Sequence, residues 1–95
     1  MFKNKKISNW QDGNSGFFKD STKFRLANVR APEKHQLEGS RATKVVFGMT
    51  SRSNGSVNVR IVGKDRYERQ IVNMSNKEGS INQRMRSKGY VNKGR

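Results

Sequence analysis

The residues best suited to chemistry lie in one stretch of the chain, from Phe24 to Glu33. Phe24 and Leu26 alternate with Arg25, so a strand here would place the two apolar side chains in a core and Arg25 on the opposite face. Pro32 stops the strand, because proline lacks an N–H and holds the residue before it in extended geometry. The pattern therefore presents Glu33 on a loop at the strand's end and brings an arginine and a carboxylate to one rim.

The charge of the chain indicates a polyanionic partner. Twenty-one Lys and Arg stand against 7 Asp and Glu, which gives a formal net charge of +14 and a pI near 11.1. Such a charge favours nucleic acid, and we expect single-stranded DNA or RNA. A membrane surface would attract the same charge, but the sequence shows no basic helix with a continuous apolar side to lie on lipid. We therefore expect a monomer that binds nucleic acid and no membrane.

Length and composition predict one small domain over residues 1–95, with mobile basic ends at residues 1–6 and 92–95. The mean hydropathy of −1.02 approaches that of disordered chains, but the regular alternation of apolar residues argues against disorder. The chain contains no cysteine, which excludes disulfides and thiolate metal sites. No apolar run follows the basic start, so we expect no secretory signal and a cytoplasmic protein.

The apolar pattern predicts five strands. A spacing of three residues between Ile7 and Trp10 indicates a first strand with a bulge, and Trp10 belongs to the core. The four later strands are predicted at residues 16–19, 23–29, 57–61 and 67–74. In the strand at 57–61, Val57, Val59 and Ile61 alternate with polar residues, which predicts that this apolar face is buried.

Two helices are predicted between and after these strands. Four apolar residues with the i, i+3, i+4, i+7 spacing of one helical face follow the third strand, at Ala42, Val45, Val46 and Met49, with Ser40 as the cap. Ser80 can cap a short second helix that Gly89 ends. Five strands with a helix after the third and a short C-terminal helix predict a mainly β (α+β) domain, a Greek-key barrel of the OB type.

Four motifs in order resemble those of the staphylococcal nuclease-like (thermonuclease) family, which has the same fold. The stretch from Arg25 to Glu33 resembles its Arg-Leu-x-x-Val/Ile-Asp-x-Pro-Glu signature. The three others are Asp12-Gly13-Asn14-Ser15, which resembles Asp-Gly-Asp-Thr, Asp65-Arg66-Tyr67-Glu68-Arg69, which resembles Asp-Lys/Arg-Tyr-Gly-Arg, and Gly79-Ser80-Ile81-Asn82-Gln83 with the later Gly89, which resembles Gly-x-x-Val-Asn-x. The resemblance extends from about Ile7 to Val91.

The resemblance implies three catalytic positions for phosphodiester hydrolysis. In that family a calcium ion and two arginines stabilise the charge that develops on the phosphate, and a glutamate lies at the attacking water. Arg25 and Arg69 stand at the two arginine positions, and Glu33 stands at the glutamate.

The calcium positions depart from the family pattern. Asn14 and Arg30 stand where the family carries aspartates, and only Asp12 of that carboxylate cluster remains. Calcium affinity depends on the number of anionic oxygens, and a guanidinium repels the ion. We therefore expect no cofactor and little calcium-dependent activity, with Ca²⁺ bound only if the family site is retained in altered form.

The same residues suit phosphate binding without a metal. Arg25, Arg30 and Arg69 would converge on one pocket. Guanidinium forks contact phosphate oxygens in pairs, so these arginines could hold a phosphate without a metal. Alternatively, Arg25 and Arg69 are structural partners of Glu33. The nucleic-acid-binding positions beside this pocket are Lys64, Arg66 and Tyr67, with Tyr67 either stacking on a base or packing in the core.

One departure at the fifth strand concerns the backbone. Glu68 replaces a glycine of the family motif, and glycine permits backbone angles that glutamate disfavours. The turn geometry at Arg69 is therefore open at this point.

The leading hypothesis is a nucleic-acid-binding, nuclease-like OB domain with a degenerate calcium site. The alternatives are an active nuclease that uses Arg25, Glu33 and Arg69, and a ribosomal-type RNA-binding protein, which size and charge alone suggest.

Overall fold

The computed structural model describes residues 3–30, 37–51 and 55–90, and these residues form a mostly β domain with two helices. In chain order the elements are β1 (Lys3–Asp12), β2 (Ser15–Phe18), β3 (Lys23–Leu26), α1 (Leu37–Ser51), β4 (Ser56–Lys64), β5 (Gln70–Asn76), β6 (Gly79–Ser80) and α2 (Ile81–Ser87). The two-residue β6 forms a short antiparallel pair with the end of β5, so the other five strands make up the barrel.

The five strands close into a barrel. They lie in the order β3-β2-β1-β4-β5, with antiparallel neighbours, and β3 also pairs with β5 in parallel. In that closing pair Phe24 lies opposite Gln70 and Arg25 lies opposite Ile71. The OB-type barrel predicted from the sequence is confirmed, and its closure places Arg25 beside the start of β5.

Aromatic rings fill the centre of the barrel. Phe24 stacks on Phe18 with the ring centroids 4.5 Å apart, and Trp10 meets Phe24 edge to face at 5.0 Å. The indole N–H of Trp10 donates a hydrogen bond to the Thr50 hydroxyl of α1 at 3.1 Å. Trp10 is therefore a core residue, as predicted, and it also fixes the helix against the barrel.

The first strand is longer than the sequence indicates. Its bulges are present, as register shifts on both sides of the Asn9–Trp10 pair, but it begins at Lys3 instead of near Ile7. Residues 3–6, expected to be part of a mobile end, pair with residues 56–59 of β4. Backbone hydrogen bonds form this pairing, and the side chains there need not be apolar. Residues 1–2 and 92–95 lie outside the described residues.

The third strand is shorter than predicted. It ends at Leu26, since Asn28 has a φ of +59°, a left-handed conformation that interrupts a strand. Ala27 and Val29 are buried beyond the strand's end.

The β4–β5 hairpin also departs from simple alternation. Val57 and Val59 are buried as predicted, but β4 continues to Lys64, and a register shift after Ile61 leaves that side chain 41% exposed. β5 begins at Gln70, so Tyr67 and Arg69 belong to the turn before it and not to the strand. The turn is held by a side chain, as described below.

The helices confirm the predicted apolar stripe and two of three predicted ends. Ala42, Val46 and Met49 are buried, and Val45 is partly buried against the core. Helix α1 begins at Leu37, so the prediction of Ser40 as its cap is wrong. Ser80 does cap α2, because its hydroxyl accepts a hydrogen bond from the Gln83 N–H at 3.1 Å.

Gly89 ends the second helix in a left-handed conformation, with a φ of +98°. Within the described part of the chain, no helix is long and apolar enough to cross a bilayer.

Candidate nucleic-acid interface

The turn between β1 and β2 is organised by Asp12. Its Oδ1 accepts hydrogen bonds from the Asn14 N–H at 3.0 Å and from the Ser15 hydroxyl at 2.8 Å. An aspartate that accepts from the backbone two residues later forms an Asx turn, which fixes both the loop and the carboxylate. Asp12 is therefore a turn-forming residue with two neutral donors on one of its oxygens.

Asn14 connects this turn to the segment after β3. Its side-chain amide donates a hydrogen bond to the Val29 carbonyl at 3.0 Å. The backbone carbonyl of Asn14 accepts a hydrogen bond from the Leu26 N–H at 2.7 Å. Asn14 is buried, and a carboxylate could not donate the bond to Val29. The asparagine that replaces a family aspartate is thus part of the packing between two loops.

Arg30 follows directly and is exposed. Its backbone N–H donates to the Tyr90 carbonyl at 3.2 Å, which joins this segment to the chain after α2. Since Asn14 bonds to Val29, the Arg30 backbone lies beside the Asp12 turn. The two replaced calcium positions are therefore neighbours in the fold.

A buried asparagine in α2, Asn82, binds the segment that follows β3. The Asn82 amide donates to the Ala27 and Val72 carbonyls, both at 3.0 Å, and its oxygen accepts from the Met74 N–H at 2.8 Å. These three bonds connect α2, β5 and the chain after β3. Sequence reasoning assigned Asn82 no role, and the available signal was a polar residue between the apolar Ile81 and Met85.

The turn between β4 and β5 is organised by Asp65. Its Oδ1 accepts from the backbone N–H groups of Tyr67 and Arg69 at 2.9 and 3.0 Å, and its Oδ2 accepts from the Arg69 Nε–H at 2.7 Å. Burial opposes ionisation of the Asp65 carboxyl, but the hydrogen bonds from Arg69 and Tyr67 together outweigh it and lower the pKa. The carboxylate therefore stays charged and holds the Arg69 guanidinium in place.

The Tyr67 side chain is exposed on this turn, and two arginine side chains lie close to its ring. Its side chain is 63% exposed, so the alternative of a core position is wrong. The guanidinium carbons of Arg66 and Arg69 lie 5.6 and 5.5 Å from the ring centroid, within the range of cation–π contacts. An exposed ring of this kind can stack on a base while the guanidinium groups reach the neighbouring phosphates.

Glu68 adopts a left-handed conformation, at the position where the resembled motif carries a glycine. Its φ is +68°, and such a conformation costs about 1–2 kcal/mol for a residue with a Cβ. The turn thus keeps its geometry despite the glutamate.

The remaining site residues lie between and beside the two turns. Arg25 is half-buried in β3, and its Cα is paired with Ser15 on one side and with Ile71 on the other. Lys64 pairs with Gln70, next to Arg69. The convergence of Arg25, Arg30 and Arg69 on one pocket stays a prediction.

Glu33 lies outside the residues that the structure describes, so its pairing with Arg25 or Arg69 stays a prediction too. The guanidinium of Arg69 does bind a carboxylate, but that carboxylate belongs to Asp65. Sequence reasoning missed this partner, although an aspartate four residues before an arginine at a turn was a usable signal.

The donor set around Asp12 does not fit a calcium ion. Over residues 3–30, 37–51 and 55–90, no three acidic or histidine side chains form a group that could hold a metal. One oxygen of Asp12 already accepts two hydrogen bonds, and the Asn14 amide points its N–H at Val29. Calcium requires six to eight oxygen ligands, several of them anionic, which these residues do not supply.

Comparison with known proteins gives one match. The family model described as Staphylococcal nuclease homologue matches residues 23–93, about three-quarters of the chain. The matched part includes Arg25, Arg30 and the Asp65–Arg69 turn, whereas the Asp12 turn precedes it. No curated protein matches the chain.

Proposed function

Because the chain belongs to the staphylococcal nuclease homologue family, we propose that it binds single-stranded nucleic acid and has lost calcium-dependent phosphodiester hydrolysis. The observation that carries the binding is the exposed Tyr67 ring, which has the guanidinium carbons of Arg66 and Arg69 at 5.6 and 5.5 Å from its centroid. The observation that supports the loss is the rebuilt turn at Asp12. The two parts of the proposal are tested separately.

The Tyr67 turn is preorganised for a nucleotide. Asp65 already holds the Arg69 guanidinium, so less side-chain freedom is lost when a phosphate binds. Stacking of one base on an aromatic ring contributes about 1–3 kcal/mol. Lys64, Arg66 and the exposed Arg30 add positive charge that attracts the phosphate backbone of the nucleic acid. Arg25 lies between the two turns. The overall charge of +14 draws a polyanion toward this surface.

The calcium part of the proposal rests on the bonding of Asn14. Its amide donates to Val29, so this position acts as a donor where calcium would need an acceptor. Arg30, directly after Val29, carries a guanidinium where the family pattern has a carboxylate, and a guanidinium repels a calcium ion. The three catalytic positions, Arg25, Glu33 and Arg69, would therefore lack the calcium ion that the family uses for hydrolysis.

Binding is tested with a single-stranded oligonucleotide, as DNA and as RNA, in a salt series. The association constant should fall with a slope of about −0.7 in log K per log salt for each phosphate contacted. Tyr67→Ala should weaken binding by about 10- to 100-fold, since it removes a stacked base. Tyr67→Phe should bind almost normally, and Lys19→Ala, at an exposed lysine of the β2–β3 turn, should have little effect. Equal affinities for Tyr67→Ala and Lys19→Ala would contradict the proposal.

Cleavage is tested on the same substrates in calcium, magnesium and EDTA. The unaltered chain should cleave no faster than a Glu33→Gln control in any of them. Calcium-dependent cleavage that disappears in the control would make the protein an active nuclease. Binding confined to ribosomal RNA would support a ribosomal-type protein instead.

A further inference from the structure

A cleft separates the two helices. Its volume is about 410 Å³, within the range of small-molecule sites. The lining residues from α1 are Val45, Gly48, Met49 and Ser51, and those from α2 and the residue after its end are Arg84 and Lys88. None of these residues belongs to the candidate interface at Tyr67, so the cleft is a separate feature.

Arg84 is incompletely partnered in this cleft. Its Nη2 lies 3.6 Å from Glu78 Oε1, a long ion pair. Its Nη1 is buried, and no group in the described residues accepts a hydrogen bond from it. Buried donors are almost always paired in proteins, so an unpaired guanidinium nitrogen calls for an acceptor. Arg84 lines the cleft, so a rotation of its guanidinium would bring this nitrogen to an anion bound there.

We propose that this cleft binds a phosphate group between Arg84 and Lys88. A guanidinium fork matches the paired oxygens of a phosphate, and a lysine adds a point charge. Val45 and Met49 give the cleft apolar walls beside these two cations. The ligand is a phosphate as a free ion, on a nucleotide or on a polynucleotide backbone.

Gly48 leaves room for the ligand. A Cβ built at Gly48 meets no atom within 4 Å, so the cleft is open at this point of α1. A leucine there would fill part of the cleft without a clash, and leucine is also a better helix former than glycine. Gly48→Leu is therefore expected to fold and to block the site, and Gly48→Ala is its matched control.

The first experiment follows the backbone amides of the full chain by NMR as inorganic phosphate is added at constant ionic strength. Shifts should concentrate at residues 48–51 and 84–88. A nucleoside monophosphate and a single-stranded oligonucleotide are then titrated in the same way. The source of phosphate that the cleft prefers is the one with the lowest dissociation constant at these amides. Shifts spread evenly over the basic residues would overturn the proposal.

Variants then separate the cleft from general charge attraction. Arg84→Gln should weaken phosphate binding about tenfold or more, since hydrogen bonds to a charged group are lost. Lys19→Gln removes the same charge elsewhere and should change the dissociation constant less than twofold. Glu78→Gln should strengthen binding, because it removes the carboxylate that competes for Arg84. Equal effects of Arg84→Gln and Lys19→Gln would refute the site.

The Gly48 pair guards against unfolding. Gly48→Leu should weaken phosphate binding as much as Arg84→Gln while its melting temperature is no lower than that of the unaltered chain, and Gly48→Ala should bind normally. A stable Gly48→Leu that binds normally would refute the cleft. Shifts at residues 65–69 report the Tyr67 interface independently, so failure of one site is distinguishable from failure of the other.

Discussion

The two turns that frame the candidate interface are built alike, but their carboxylates have different partners. In each turn an aspartate accepts the N–H of the residue two positions later, at 3.0 Å for Asp12 and 2.9 Å for Asp65. Among the described residues, the donors to Asp12 are the neutral groups of Asn14 and Ser15. Asp65 binds the Arg69 guanidinium at 2.7 Å. One turn therefore leaves its negative charge without a cationic partner among the described residues, and the other neutralises it.

This difference indicates which part of a nuclease-like site each turn still supplies. The Asp65 turn holds an arginine rigidly beside an exposed ring, as phosphate binding requires. The Asp12 turn offers one carboxylate, and the asparagine beside it is committed to the Val29 carbonyl. Under the proposed function, binding and hydrolysis depend on different turns, and the substitutions below alter one turn at a time.

The largest effect is expected from restoring acids at the Asp12 turn. Asn14→Asp combined with Arg30→Asp places two carboxylates near Asp12 and removes the repelling guanidinium. Calcium-dependent cleavage of single-stranded DNA should then appear, at least about 10²–10³-fold above the unaltered chain, because a preorganised electrostatic partner contributes a factor of that size. The measurement is the cleavage rate in calcium against EDTA.

The single changes are the controls for this double variant. Arg30→Asp alone leaves a ligand missing, and Asn14→Asp alone keeps the guanidinium, so neither should cleave. Asn14→Asp also removes the bond to Val29, at a cost of about 1–3 kcal/mol for an unpaired buried carbonyl. Calcium should raise the melting temperature of the double variant, because an ion that binds only the folded protein stabilises it. A folded double variant that neither binds calcium nor cleaves would contradict the reading of this turn.

A second substitution compares the two aspartates directly. Asp65→Ala removes three hydrogen bonds, one of them charged on both sides, and should lower the free energy of unfolding by about 2 kcal/mol. Asp12→Ala removes two bonds from neutral donors and should lower it by about 1 kcal/mol. Denaturant unfolding of both variants checks the order. Equal or reversed losses would show that the ion pair at Asp65 adds nothing.

Acid titration sharpens the same comparison. The hydrogen bonds from Arg69 and Tyr67 lower the pKa of Asp65 in the folded protein, despite the opposing effect of burial. The stabilisation is therefore present above the unfolded pKa of about 3.9 and is lost as the pH falls through the lower folded value. Asp65→Asn should lose less stability than the unaltered chain between about pH 4 and pH 2.

Asp20 provides the background for that titration. The hydrogen bond from Lys5 lowers the pKa of Asp20 well below its ordinary range, and this group is present in both proteins. Asp65→Asn should therefore reduce the acid sensitivity without abolishing it. Identical pH profiles for the two proteins would exclude a stabilising charge on Asp65.

The barrel and its core could be predicted because they depend on apolar patterns and caps. Alternation located Val57 and Val59, and the positions of Ser80 and Gly89 marked the ends of α2. Extension of β1 to Lys3 could not be predicted, since its pairing with β4 is made by backbone hydrogen bonds and its polar, largely exposed side chains carry no apolar signature.

The details of the site were less predictable, because they depend on side chains that bind the backbone. Asp65 captures the N–H groups of Tyr67 and Arg69, so these residues form a turn where alternation predicted a strand. Asn82 is similar, since its three bonds join α2 to β5 and to Ala27, which lies 55 residues earlier in the chain. Such long-range polar contacts have no period in the sequence.

The smallest expected effect concerns the backbone of the Asp65 turn. Glu68 has a φ of +68°, which glycine adopts without the steric penalty of a Cβ. Glu68→Gly should relieve about 1–2 kcal/mol of strain, and the greater freedom of glycine in the unfolded chain offsets about 0.4–1 kcal/mol of that. A net gain of several tenths of a kcal/mol in unfolding free energy is expected, measured by denaturant titration.

Two variants separate this strain from charge. Glu68→Gln removes the negative charge near Arg69 but keeps the Cβ, so it should not relieve the strain. Asn28→Gly tests the other left-handed residue near the interface, with a φ of +59°. Asparagine tolerates this conformation better than glutamate, so the gain there should be smaller. If Glu68→Gln stabilises as much as Glu68→Gly, charge and not backbone strain sets the effect, and the glutamate is accommodated in this turn without a conformational penalty.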